Sequence, residues 1–586
     1  MARGSSRDSS PSLVDEIRTI VRREPTFFFG VLIASGLALF AIWRVRFGLD
    51  LTDESLYVAM PLRFALGDKP FLDERSSIQG GSLLETPLVF VYHLITRDNR
   101  GLMLFCRFAY LAYLGAIGWT ITRAVRGWIS NGAALACASL VFFFGPYGIY
   151  NFSYNTLGAG LSMLAAFTSL RLARGGAHME LSHKTAGRLV MFAGAAACGS
   201  ALSYPTLAVV VPIHFLGILV FGHRHLGVVR TALRFVAGGA LLGVYVGIFV
   251  LRSGPSSLRL TLDFIRAWGS NMTGTLDGAL AVMGTFKPDL WIALVILSAA
   301  VLVARRLRLF AIVIAALLPT LLAPPVNQDI RATMRFFVCL AVAAPLMALA
   351  VKDRKETLRL MLTVWVPMTC VGLVTGVSSG NGGVAAGLGG FTGMIVLAIL
   401  AARASEESLS RLPFAAPFVG LVAPIVLIHA LVKLVTMPGT VYCDEPIEQL
   451  TARVRTGPFA GIRTTPEKRD YIERMTADIT KHVGAGKYVL AFPDLPGGYL
   501  IANRRAAIPE IWPGAIPKRQ EIDAAIFRER ASEVSLVIAR SCAGPDHYRF
   551  CVPFRPSEAH LPLQMAVQET HKQIFVGTDY ALLVPR

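Results

Sequence analysis

Long apolar runs, separated by short polar stretches, fill the first three quarters of the chain. The first covers about 26–47 and follows Arg18, Arg22 and Arg23. Further runs of spanning or near-spanning length begin near residues 101, 131, 154, 188, 206, 231, 289, 309, 335, 359, 385 and 414, which predicts about thirteen transmembrane helices. Basic residues collect in alternate connections: Arg123/Arg126, Arg171/Arg174/Lys184/Arg188, Arg224/Arg230, Arg305/Arg306/Arg308, Lys352/Arg354/Lys355 and Arg403/Arg411. The positive-inside rule puts those connections and the N-terminus in the cytoplasm, and an odd number of spans then puts the C-terminal segment outside. The stretch 83–95 is apolar but short and holds Glu85, Pro87 and His93, so it is expected to be an interfacial or re-entrant helix.

From about residue 437 the pattern changes to short apolar runs among alternating charges. Thr465-Pro466-Glu467 is a helix start, with Thr as N-cap and Pro in the first turn, and the helix is expected to run to His482 and stop at Gly484. KYVLAF, EVSLVIAR, QIFVG and YALLVPR read as strands. The first is followed by PDLPGGYL, a turn that either borders a ligand cleft or simply connects strand to helix. The predicted fold class is a polytopic α-helical membrane protein with a C-terminal extracytoplasmic α/β domain. It divides into a polar, disordered 1–25, a membrane domain 26–436 with a first outer loop at 48–100, and an α/β domain 437–586.

Composition agrees with this division. The chain is 54% hydrophobic and 16% charged with mean hydropathy +0.55, unlike a soluble protein of 586 residues. The net charge of +19 sits between apolar runs, so it reports topology and anionic lipid, with no basic aromatic module for nucleic acid. The first run is too long for a signal-peptide core and is read as a retained span. Of eight cysteines, Cys106, Cys137, Cys198, Cys339 and Cys370 lie in apolar runs as core residues. Cys542 and Cys551 are spaced to close a disulfide-bonded turn around Gly544-Pro545, with Cys443 left over.

Candidate chemistry gathers at the outer ends of the predicted helices. Asp53–Glu54 lies just past the end of the first run, and an ionisable pair at that depth is a site candidate. The bland alternative is that Thr52-Asp53 caps a short helix over 54–66. Arg107 lies inside the second run and needs a partner: a phosphate, or a carboxylate such as Asp329 or Glu85. Arg331 and Arg335 stand four apart at another outer mouth, where they suit a phosphate, and Lys69 and Arg75 are further cations. Tyr57, Tyr154 and Asn155 are placed to hydrogen-bond a sugar or phosphate, and His93 is either a packed residue or part of the site. Gly376-to-Gly390 reads as a flexible loop in preference to a phosphate cradle, and the amphipathic LRLTLDFIRAW within 253–289 as a surface-lying piece.

Several of these motifs together resemble a known superfamily. Asp53-Glu54-x-x-Tyr57 ends the first span, and Gly67-Asp68-x-Pro70-Phe71-x-Asp73 follows it. A Thr86-Pro87-Leu88 turn lies on the short helix, and Arg107-Phe108 stands early in the second span. This pattern resembles the GT-C superfamily of polyprenyl-phosphate-dependent glycosyltransferases, nearest the protein O-mannosyltransferase and aminoarabinose lipid A transferase branches. The likeness runs by motif over about 26–172 and by architecture beyond. It implies an inverting membrane enzyme of a bacterial inner membrane that moves a sugar from a polyprenyl-phosphate donor to an envelope glycan, lipid or protein on the outer face. Asp53 would be the general base or metal-linked acid, Glu54 its neighbour, and Arg107 the arginine of the second span. A divalent metal, Mg or Mn, would bind through Asp53 and Asp329 if it binds at all. Those branches often carry an acid in the second outer loop, where this chain has Asn151, Ser153, Tyr154 and Asn155. That departure puts a two-carboxylate metal site in doubt, unless Asp73, Glu85 or Asp329 replaces the acid. A lipid-linked saccharide flippase without transferase activity is the rival, although no internal repeat or mid-membrane charge supports it.

Overall fold

The computed structural model describes residues 25–175, 181–268, 330–379, 381–409, 441–513, 517–540, 562–576 and 580–586. Eight of its helices are long and apolar enough to cross a membrane: Thr26–Arg44, Leu102–Val125, Tyr154–Arg174, His183–Ser203, Pro205–Leu226, Val228–Ser253, Arg354–Ser378 and Gly382–Glu407. Two shorter apolar helices, Asn131–Phe143 and Leu340–Leu349, account for the runs expected near 131 and 335. The runs expected near 289, 309 and 414 lie outside the described residues, as do the N-terminal 1–24, Asp329 and the Cys542–Cys551 pair. The chain is a multi-pass membrane protein.

The helices pack through small residues, as membrane helices do when lipid is as apolar as their side chains. A Cβ on Gly194 would lie 2.1 Å from the Phe235 carbonyl oxygen, and one on Gly238 would lie 2.0 Å from that of Met191. The glycines of 376–390 serve the same end. Residues 366–378 and 387–409 are helical, and a Cβ on Gly389 would lie 2.0 Å from the Met368 carbonyl oxygen. That stretch is therefore packed helix around a short 3-10 turn at Gly382–Ala386, neither the flexible loop nor the phosphate cradle that its composition suggests.

The loop after the first span contains two helices, α1 (Asp53–Ala65) and α2 (Gln79–Thr96). The C-terminal segment forms a five-stranded sheet in the spatial order Arg505–Ala506, Tyr488–Phe492, Val534–Arg540, Tyr580–Pro585 and His571–Val576. Strands at Tyr488–Phe492, Val534–Arg540, His571–Val576 and Tyr580–Pro585 match the four expected from sequence. The first two pair in parallel, and Tyr488–Phe492 is buried throughout, as in a sheet covered on both faces. The helix Pro466–His482 is capped by Thr465, whose hydroxyl accepts from the Lys468 amide at 3.2 Å.

This sheet does not stand apart from that loop. Leu56, Tyr57 and Met60 of α1 share one apolar core with Val489, Ile538 and Leu582 of the sheet. Arg63, buried in α1, pairs with Asp68 at 2.5 Å and Glu74 at 2.6 Å, and donates to the Ile508 carbonyl at 3.2 Å. Asp68 also pairs with Arg505, and Asp73 with Arg530 at 2.8 Å; both arginines lie against the Tyr488 ring. The Gly67-to-Asp73 motif is thus the seam between loop and sheet. The amphipathic helix Ser256–Trp268 joins the same seam, with Phe264 beneath Arg519 and the Thr261 hydroxyl on the Phe71 carbonyl at 2.8 Å.

Candidate active site

The turn from the first span into α1 sets the site. Asp50 caps α1: its carboxylate accepts from the Thr52 amide and the Glu54 amide, both at 2.8 Å, and from the Thr52 hydroxyl at 2.6 Å. The cap expected from Thr52-Asp53 is not used, since Thr52 makes no side-chain cap bond. Asp53 is therefore free of capping.

Adjacent Glu54 is committed elsewhere. Arg107 donates to its two oxygens at 2.6 and 2.5 Å, and the Asn151 side-chain amide donates to it at 3.0 Å. The rest of the Arg107 guanidinium donates to the carbonyls of Val45 (2.8 Å), Phe47 (3.1 Å) and Gly48 (2.8 Å). All five N–H donors of a guanidinium are then engaged, and none is left for a phosphate. The partner Arg107 requires is Glu54, not Asp329 or Glu85.

Asp53 is half-buried, and the Tyr442 hydroxyl donates to it. Burial, followed by the Asp50 charge, pushes its carboxyl up to about 7; the Tyr442 hydrogen bond opposes the rise and the Asp494 charge adds to it. Tyr442 is held over the site by its neighbour Asp444, which accepts from the Leu49 amide and the Thr464 hydroxyl at 2.8 Å each. Asp494 belongs to the PDLPGGYL turn, and its carboxylate accepts from the Trp512 indole. That turn docks beside the start of α1, where the Gly497 amide donates to the Leu51 carbonyl at 2.9 Å. It therefore borders the site and is not a plain connection.

Hydroxyl groups line the other side of Asp53. The Tyr57 ring meets Tyr154 edge-on with centroids 5.8 Å apart, and Tyr154 meets Tyr204 at 5.2 Å. The hydroxyls of Tyr204 and Tyr147 reach Ser378/Ser379 and Asn381 respectively. Tyr147 holds a left-handed backbone (φ 58°, ψ 17°), a conformation that costs about 1 kcal/mol or more in a residue other than glycine. Asn155 is buried beside Tyr154 and bonds its hydroxyl.

The remaining predicted residues lie apart from this group. Lys69 is exposed, and its main chain closes the turn with Asp73. Glu85 is buried in α2 and makes no hydrogen bond or ion pair among the described residues, and His93 lies two turns farther along the same helix. Arg335 is half-buried, with its Nε unbonded, on a helix that packs against the turns carrying Tyr147 and Asn381. The side chain of Arg331 lies outside the described residues. Sequence reasoning missed Asp50, Tyr147, Tyr442 and Asp494 as neighbours of Asp53. For Asp50 the signal was present in the acid spacing of LDLTDE. No three His, Cys, Asp or Glu side chains come together to hold a metal among the described residues.

No family model and no curated protein matches the chain. Among solved structures, the crystal structure of the Archaeoglobus fulgidus oligosaccharyltransferase complex with Zn and sulfate is 14% identical, covering 96% of this chain and 73% of that one, with a TM-score of 0.49. Archaeal oligosaccharyltransferase AglB from Archaeoglobus fulgidus, in complex with an inhibitory peptide and a dolichol-phosphate, is 12% identical over 89% and 70% of the two chains, with a TM-score of 0.46. ArnT from Cupriavidus metallidurans bound to undecaprenyl phosphate is 12% identical over 98% of each chain, with a TM-score of 0.44. Likenesses at this level do not establish an activity.

Proposed function

We propose that the chain is an integral-membrane glycosyltransferase that moves a sugar from a polyprenyl-phosphate donor to an envelope acceptor. The observation that carries this reading is Asp53: a carboxylate at the exit of the first span, outside the caps and ion pairs of the described residues, raised towards neutrality and faced by tyrosine hydroxyls. An acceptor hydroxyl hydrogen-bonded to Asp53 gives up its proton as its oxygen attacks the anomeric carbon. The bond from that carbon to the phosphate oxygen breaks, and the polyprenyl phosphate departs with inversion. Tyr57, Tyr147 and Tyr154 are the donors offered to a sugar, and Arg335, whose helix packs against the turns carrying Tyr147 and Asn381, is the cation assigned to the phosphate. Glu54 and Arg107 hold the turn that aims Asp53. No step is routed through a metal.

In this reading the N-terminus is cytoplasmic, and the first outer loop and the domain from about 437 lie outside a bacterial inner membrane. The flippase reading is not favoured, because Asp53 and the tyrosines around it gather at one end of the bundle and not at mid-membrane. Membranes bearing the full chain, incubated with radiolabelled polyprenyl-phosphate sugars, are expected to release polyprenyl phosphate and label an acceptor. Transport of the intact lipid-linked sugar without cleavage would sink the proposal.

The protonation of Asp53 sets the pH response. A base must be ionised to act, so with its carboxyl pushed up to about 7, transfer should fall about tenfold per pH unit below that value and level off above it. Tyr442→Phe removes a hydrogen bond to the ionised form. The acidic limb of the pH–rate profile should therefore move to higher pH, while the limit at high pH changes little. A limb unchanged in Tyr442→Phe would separate this tyrosine from the base.

A further inference from the structure

The far end of the bundle carries a cleft between the last turn of the helix Leu102–Val125 and that of the helix Tyr154–Arg174. It is lined by Arg123, Ala124, Arg126, Arg171, Arg174 and Gly175, with Leu181 at its edge. Asp53 lies at the opposite end, where the same two helices start at Leu102, with Arg107 in the second turn, and at Tyr154.

Among the described residues, Arg174 is the one of these arginines that finds both an ion pair and carbonyl acceptors. It pairs with Glu356 at 2.9 Å and donates to the carbonyls of Ala124 (2.6 Å) and Arg126 (3.1 Å). Arg123 lies over the Trp119 ring at 5.6 Å, and neither it nor Arg171 has an ion pair among the described residues. The Nε of Arg171 is buried without a hydrogen-bond acceptor, and the Arg123 charge bears on it. Topology alone explains arginines at the ends of spans, but it is served as well by solvated ones. A buried, unbonded guanidinium N–H beside a like charge is costly unless an anion completes it.

The surface beside the cleft indicates the source of the anion. Ala112, Ala116 and Trp119 are exposed on the face of the helix that leads to Arg123, at spacings that stack along one side. Two small residues and an interfacial indole leave a strip where an acyl chain can lie, ending at the arginines. We propose that this cleft binds the phosphate of an anionic phospholipid in the leaflet facing it, with Arg123 and Arg171 donating to the phosphate oxygens. This assignment is independent of the transferase reading.

The test uses the full chain purified in mild detergent and stripped of lipid. Short-chain phosphatidylglycerol, short-chain phosphatidylcholine and inorganic phosphate are added separately, with thermal unfolding and native mass spectrometry as readouts. Phosphatidylglycerol is expected to stay bound and raise the Tm by a few degrees, with phosphatidylcholine and phosphate giving no shift. Arg123→Gln/Arg171→Gln should weaken phosphatidylglycerol binding at least tenfold. An equal response to phosphatidylcholine, or phosphatidylglycerol binding that survives in the double variant, overturns the site, and an equal shift from inorganic phosphate overturns the lipid assignment. Should the double variant not fold, the wild-type comparison of the two lipids and Arg171→Lys decide: no preference for the anionic lipid, or Arg171→Lys binding as the wild type does, overturns the proposal.

Discussion

Asp53→Asn is expected to lower sugar transfer by about 10²–10⁴-fold, the range a general base supplies, while the protein inserts and accumulates normally. Among the described residues the side chain caps no helix and joins no ion pair, and its hydrogen bond is the one from Tyr442. Asparagine is nearly isosteric and still accepts that bond, so the loop should keep its shape. Removing the charge also relieves repulsion from Asp50 and Asp494, so stability should hold or rise slightly. A proton acceptor acts in the transition state and contributes little to donor binding, so kcat should fall with the donor KM nearly unchanged. The assay compares kcat and KM in membranes holding equal amounts of each protein. Activity within a fewfold of wild type would remove Asp53 from the chemistry and return attention to Glu54 or to a different class.

The parts of this site that were legible in the sequence share a physical cause. Asp53–Glu54 stood out because the apolar run before it fixes its depth, and the bilayer makes charge at that depth expensive. Arg107 stood out for the same reason, and the need for a partner was readable. Which partner was not, because Glu54 lies 53 residues away and only the fold decides the pairing. Tyr442 is more distant still, 389 residues from Asp53, and a single tyrosine after a polar break carries no local signal. The four strands were legible because each is a short apolar run between turn residues, and a sheet covered on both faces leaves that trace. The glycines of 376–390 misled because composition records the missing Cβ and not the reason for it. In a loop the gap gives freedom, whereas in this bundle it lets helix backbones touch.

The pair behind Asp53 should respond very differently from Asp53 itself. Glu54→Gln leaves the Arg107 guanidinium buried against backbone carbonyls with no counter-charge, and breaking a buried pair in this way costs about 3–5 kcal/mol. Arg107→Met strands the Glu54 carboxylate and should cost as much. Both single variants are expected to accumulate poorly and to unfold earlier in thermal scans. In the double variant Glu54→Gln/Arg107→Met neither charge is left without its mate, so much of the lost stability should return, short of the carbonyls of Val45, Phe47 and Gly48 that lose their donor. The coupling separates the two carboxylates. If Glu54 only holds the turn, the double variant regains transfer in step with its folded fraction, and its pH–rate limb stays near 7. If Glu54 is the base, the double variant folds and remains inactive, and the role of Asp53 as proton acceptor fails with it.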